Sequence, residues 1–129
     1  MNSQEIRATL DRYWEATMAH DLKKAHEFYH DDIVVEFPQS GERIQGKQNI
    51  YKLRVHYPTK VTYKMLRVRG DGNLWITELI ATYDNDKGRP INGIAIMEFR
   101  NDKVAHETLY FAYPFELPKW RSPWAEKIK

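Results

Sequence analysis

The stretch INGIAIMEFRNDKVAHETLYFAY, residues 91–113, decides the fold class. Its two halves, 91–100 and 103–113, are rich in β-branched and aromatic residues, and Asn101-Asp102 between them is a two-residue hairpin signal. Working upstream, 74–83 reads as another strand, set off by the turn 84–89. Before it, 61–69 alternates as Val61, Tyr63, Met65 and then shifts phase to Leu66 and Val68, which predicts a β-bulge. Gly70-Asp71-Gly72-Asn73 turns the chain between those two strands. The C-terminal half is therefore a run of four antiparallel strands.

The N-terminal half has helical texture. Asn2 followed by Glu5 makes a capping box, and Ile6, Leu10, Tyr13, Trp14 and Thr17 recur at helical spacing to about residue 19. Asp21 caps a second, short helix expected over 22–29, which Asp31-Asp32 stops because short acidic side chains compete for backbone groups at a helix C-terminus. Residues 33–37, Ile-Val-Val-Glu-Phe, form a strand that Pro38 ends, and Gly41 and Gly46 frame a turn. A third helix follows over 47–56, with Ile50, Leu53 and Tyr57 on one side and Pro58 ending it.

Helices and strands so segregated argue α+β rather than a parallel α/β fold. A long curved antiparallel sheet with three N-terminal helices on one face encloses a conical, pocket-like space. Five strands cannot close a barrel, so the outer sheet face is expected to pack against a second copy as a homodimer. The chain reads as one domain over 1–129, with 114–129 a tail punctuated by Pro114, Pro118 and Pro123. Its Phe115, Trp120 and Trp124 are expected to pack back on the domain, closing the pocket or crossing to the partner copy.

Composition narrows the function. A chain of 129 residues is long enough for one core and too short for two. Twenty basic and 18 acidic residues are scattered in both signs, so the basic stripe of a nucleic-acid binder is missing and no nucleic-acid partner is expected. The absence of cysteine excludes disulfides, thiol catalysis and cysteine-ligated metals. No segment approaches the roughly 18 apolar residues of a membrane span, so no membrane partner is expected and the chain reads as cytoplasmic. Aromatic residues, 13% of the chain, can line a pocket for an apolar ligand as well as fill a core.

Three words of sequence carry a family resemblance: RYWEATMAHDLKKAHEFYHDDIVVEFPQSGERIQG (12–46), GIAIMEFRNDKVAHETLYF (93–111) and FELPKWRSPW (115–124). In order and spacing the chain resembles the nuclear transport factor 2-like superfamily over essentially its whole length. Its ending, Glu107 through Tyr110-Phe111 to Pro118-Lys119-Trp120-Arg121, is similar to SnoaL-like domain proteins. The resemblance implies a cone-like fold around one small-molecule pocket, shared by ketosteroid isomerases, polyketide cyclases, dehydratases, limonene epoxide hydrolases and binding modules, so fold alone leaves function open. Against the isomerase branch, Arg12-Tyr13 retains the helix-one tyrosine. The branch's base stretch V-E-D-P is matched by Val35-Glu36-Phe37-Pro38, and its second-acid stretch I-D-V-M-R-F by Ile94-Ala95-Ile96-Met97-Glu98-Phe99. Phe37 and Ala95 thus stand where that branch has its acids, and ketosteroid isomerase chemistry is not expected.

If Ala95 points inward, alternation puts Gly93, Met97 and Phe99 on the same face, and Glu107, Leu109 and Phe111 on the facing side of the last strand. Glu107 is then a carboxylate among apolar neighbours, suited to acid–base work beside Tyr13. The bland alternative is an ion pair with an arginine such as Arg121 that only ties down the tail. A one-residue shift of register would instead turn His106, Thr108 and Tyr110 inward and make His106 the candidate base. Glu78, inside the apolar run 75–80, is a second acid that either shares the cavity or lies on the solvent or dimer face. Trp14, Tyr29, Phe37, Ala95, Met97, Leu109, Phe111 and Trp120 are candidate pocket walls.

His26-Glu27-Phe28-Tyr29-His30 matches the letters of the H-E-x-x-H zinc motif. A short helix ending at His30 with a buried Leu22/Ala25/Tyr29 stripe argues for a solvated face instead, and no metal is assigned. The resulting expectation is a pocket for a small, mostly apolar molecule, worked on without a cofactor by proton transfer, or simply bound.

Overall fold

Asn2 accepts a hydrogen bond from the Glu5 backbone N–H and starts helix α1, Ser3–Met18, as the capping signal implies. In the computed structural model, which describes residues 2–128 and leaves Met1 and Lys129 of the expected 1–129 domain outside the described residues, α1 buries Ile6, Leu10, Tyr13 and Trp14 along one stripe. Asp21 caps α2, Leu22–His26, by accepting from the Lys24 N–H. The helix does not run to 29 as expected. Tyr29 opens strand β1, Tyr29–Phe37, and the Val104 N–H bonds the Phe28 carbonyl just before it. The reason is tertiary: β6, Lys103–Ala112, offers a parallel ladder that starts at Tyr29↔Val104, and that pairing outweighs continuing a single helical turn. A register shift between Tyr29 and Val34 absorbs Asp31-Asp32, and Asp32 is held by Arg100 at 2.7 Å.

A sixth strand replaces part of the expected turn at 41–46. β2, Glu42–Gln45, returns antiparallel along β1, with Val35 opposite Ile44. Gly41 (φ 74) reverses the chain before it, and Gly46 (φ 92) leads into α3, Lys47–Val55. The remaining strands are β3, Val61–Asp71, β4, Leu74–Tyr83, and β5, Pro90–Arg100. They are antiparallel neighbours, and the sheet order is β2-β1-β6-β5-β4-β3. The expected bulge lies between Met65 and Arg67. Asn101 adopts φ 59 in the two-residue turn between β5 and β6.

The inner face is what alternation implies. Ala95, Met97 and Phe99 of β5 are buried, as are Val104, Glu107 and Leu109 of β6, and they pack against α1 and α3 through Leu10, Tyr13, Trp14 and Ile50. Full burial of each such large apolar side chain is worth roughly 1.5–3 kcal/mol. No helix among the described residues is long and apolar enough to cross a membrane. The tail, with a 3₁₀ turn at Lys119–Trp124, does not pack back on the domain: Phe115, Trp120 and Trp124 are 78%, 74% and 83% exposed.

Candidate functional site

Between the helices and the concave sheet lies a cavity of about 390 Å³. α1 contributes Tyr13, Trp14 and Thr17, α3 contributes Leu53 and Arg54, and β1 ends in it at Phe37. The sheet adds Val61, Tyr63, Leu79 and Tyr83, and from β6 Glu107, Leu109 and Phe111. A volume of this size with mostly aromatic and aliphatic walls is typical of small-molecule sites. Trp14 is fixed by an Nε1–H bond to the buried Thr77 hydroxyl at 3.0 Å.

At the floor four polar side chains from four elements meet. The Tyr29 hydroxyl donates to Glu107 Oε1 at 3.3 Å. With its proton so used, Tyr29 accepts from the Tyr13 hydroxyl at 2.7 Å and from Arg54 Nη1 at 2.8 Å. Arg54 Nη1 also lies 3.5 Å from the Tyr13 oxygen, and Nη2 lies 3.9 Å from Glu107 Oε1. The Glu107 side chain is 1% exposed, whereas that of Arg54 is 22% exposed.

Electrostatics follow from this burial. Desolvation raises the Glu107 carboxyl above its usual range, against the opposing pull of Arg54 and the Tyr29 hydrogen bond. Burial likewise raises Tyr13, Tyr29 and, to about 12, Tyr63, so all three phenols are protonated donors at neutral pH. Desolvation opposes the Arg54 charge, but Tyr29, Tyr13 and Glu107 more than offset it and the guanidinium stays protonated. The floor thus holds a carboxyl group able to exchange a proton, a permanent cation and phenolic donors.

Of the residues expected at the site, Glu107, Tyr13, Trp14, Phe37, Leu109 and Phe111 line the cavity together. Tyr29 stands behind the wall and reaches it only through its hydroxyl network. Ala95 and Met97 face inward but sit in the packed core, not on the cavity surface.

Three expectations are corrected. His106 faces outward, with Nε2 bonded to Glu36 and Nδ1 2.9 Å from Glu98, because the register that turns Glu107 inward must turn His106 out. Glu78 is also on the outer face, forked to Arg67 at 2.8 and 2.9 Å and touched by Arg69 at 2.8 Å. Trp120 stands in solvent on the tail, away from the cavity. The cation beside Glu107 is Arg54 and not Arg121, which lies on the exposed tail. The H-E-x-x-H letters do not share one helix face: His26 bonds the Leu22 carbonyl from α2, while His30 lies in β1 and bonds the Arg100 carbonyl.

Arg54 is the residue that sequence reasoning missed. The signal was present, since Arg54 is four residues after Ile50 and beside Leu53, on the stripe of α3 that turns inward.

The SnoaL-like domain family matches residues 10–107. A solved NTF-2 like protein of unknown function from Burkholderia xenovorans LB400 is 47% identical, with a TM-score of 0.89 over 100% of this chain and 99% of that one. A Kribbella flavida DSM 17836 protein provisionally assigned as a ketosteroid isomerase is 20% identical (TM-score 0.88, covering 98% and 91%). An LEH-like epoxide hydrolase from M. tuberculosis is 19% identical (TM-score 0.68, covering 85% and 84%). At such identities the last two share the fold alone. No curated protein matches the chain in sequence.

Proposed function

The chain belongs to the SnoaL-like domain family, and from that premise we propose that it binds a small, mostly apolar molecule in the cavity and moves a proton on it through Glu107, with no cofactor. The observation that carries the reading is Glu107 itself, a carboxyl group raised by burial on the floor of a cavity whose walls are mostly aromatic and aliphatic. Such a group takes a proton from a carbon next to a carbonyl and returns it elsewhere, the reaction type common to isomerisation, cyclisation and dehydration. Charge that develops on the carbonyl oxygen meets Tyr13, whose hydroxyl exchanges its bond to Tyr29 for one to the ligand. Phe37 and Ala95 at the two acid positions of the isomerase branch argue against steroid isomerisation by that branch's own residues.

One observation favours a second reading. Arg54 lies 3.9 Å from Glu107 and tempers its basicity, which suits a binding module that performs no reaction. The two readings separate in heavy water. Small apolar ketones, lactones and unsaturated esters are incubated with the protein and followed by NMR for deuterium uptake at carbon. Catalysis requires uptake that the wild type accelerates and Glu107→Gln does not. Binding without any uptake across the panel leaves the binding module.

The assembly belongs to the same reading. The outer sheet face carries the cross-strand pair Ile94 and Tyr110, each 40% exposed, and a second copy of the chain covers this face as a homodimer.

A further inference from the structure

Two arginine–glutamate pairs in this protein differ in a way that bears on the ligand. On the outer face Arg67 grips Glu78 as a fork, with Nε and Nη2 each on one carboxylate oxygen at 2.8 and 2.9 Å. That is the geometry an arginine adopts when its task is the ion pair. In the cavity Arg54 does otherwise. Its Nη1 is spent on two tyrosine oxygens, its Nη2 stands 3.9 Å from Glu107, and among the described residues neither Nη2 nor Nε has a hydrogen-bond acceptor. Neither nitrogen is sealed in the core, since the unpartnered buried polar atoms do not include them and Arg54 lines the cavity.

A guanidinium aligned by two phenols, with donors turned to an aromatic-walled cavity, is a receptor for an oxyanion. Tyr13 and Tyr29 hold the group by Nη1, and Tyr29 also lies under it, 5.5 Å from ring centroid to guanidinium carbon. The cost of holding the arginine in place is thus met before any ligand arrives. The other acid lining the cavity, Glu42, is not among the partners of Arg54, which among the described residues are Tyr13, Tyr29 and Glu107.

We propose that the ligand is a small molecule with an apolar, flat body and one anionic oxygen terminus, a carboxylate or an ionised enol or phenol, and that Arg54 is the specificity residue that receives this terminus. The body lies among Trp14, Phe37, Tyr63, Leu109 and Phe111. The proposal rests on the reading of the cavity as a ligand site and adds the charge of the ligand and the residue that selects it.

The test uses 2-naphthoate and 2-naphthamide, which share size and shape and differ in charge, with binding to the full chain measured by calorimetry. The wild type should prefer the carboxylate by about 10-fold or more, the effect expected of one charge-assisted hydrogen bond. Arg54→Met should erase that preference, and Arg54→Lys should keep part of it. Circular dichroism checks that each variant is folded. Equal binding of the two compounds by the wild type overturns the proposal yet leaves the cavity as a ligand site. Failure of both to bind overturns the proposal together with the reading beneath it. The wild-type comparison needs no variant, so equal binding overturns the proposal even where a variant does not fold, and Arg54→Lys serves where Arg54→Met does not fold.

Discussion

The Tyr29 hydroxyl donates to Glu107 Oε1, a side-chain bond between the neighbouring strands β1 and β6 at the bottom of the cavity. Because the phenol oxygen also accepts from Tyr13 and Arg54, its single proton has one destination and the network has one polarity. Tyr29→Phe removes the donor to Glu107 and the acceptor for both other groups. We expect a loss of about 1–3 kcal/mol in urea unfolding, the usual cost of stranding buried polar groups. The Glu107 carboxyl should also titrate at higher pH in this variant, as followed by NMR of labelled glutamate, because the lost hydrogen bond had favoured the ionised form.

Glu107 also makes stability depend on pH. Its carboxyl in the folded protein is raised above the unfolded value of 4.5, so the native state holds the proton more tightly than the unfolded chain does. The stabilising contribution is complete below 4.5 and is lost as pH rises through the higher native value. Thermal unfolding of wild type and Glu107→Gln across pH 4 to 8 should therefore show the wild type losing ground to the variant as pH increases. An opposite trend would mean that Arg54 governs and the carboxylate is held as an ion.

Two glycines differ in what their substitution would meet. A Cβ on Gly70 would stand 2.4 Å from the Leu74 carbonyl oxygen and 2.8 Å from the Trp75 Cα, backbone that cannot swing aside. On Gly93 it would meet Leu79 Cδ1 at 2.7 Å and the Phe111 ring at 3.1 Å, side chains with some freedom to move. Gly93→Ala should cost about 1–3 kcal/mol, and Gly70→Ala more, in chemical denaturation. Since Leu79 and Phe111 are cavity walls, Gly93→Ala should also weaken 2-naphthoate binding, whereas a folded Gly70→Ala should not.

The proposed homodimer makes a separate demand on the outer face. Ile94→Lys puts a charge at the centre of the Ile94–Tyr110 pair without touching the cavity. Light scattering after size exclusion should show the wild type at twice the chain mass and the variant at the mass of one chain. A wild-type monomer would remove this face as the contact between copies.

Much of the fold was legible because local signals and tertiary pairing agree over most of the chain. The inward set of β5 and β6 follows from a period of two once Ala95 is turned inward, and with it the burial of Glu107 and the exposure of His106. The SnoaL-like family match over residues 10–107 covers the first stretch that carried the resemblance and most of the second, and ends before the third, 115–124. Residues 26–30 depart from the helical expectation for a physical reason: the strand that Tyr29 opens is set by its pairing with Val104 of β6, some 75 residues away in sequence, and no local pattern carries that pairing. β2 was hidden because four residues alternating beside Gly41 and Gly46 look like a turn until β1 pairs with them.

By itself, then, the order of residues determined the α+β class and the two-residue turn of the central hairpin, since each depends on patterns that act over a few neighbours, and it left the inward face of the last strand open between Glu107 and His106. Only the tertiary structure brought Arg54 to Glu107, turned Glu78 toward Arg67 and left Trp120 in solvent. A charged or aromatic side chain has the same local preferences on either side of its element. Its surroundings are decided by distant strands and helices meeting in space, and the chemistry of the cavity resides in that meeting.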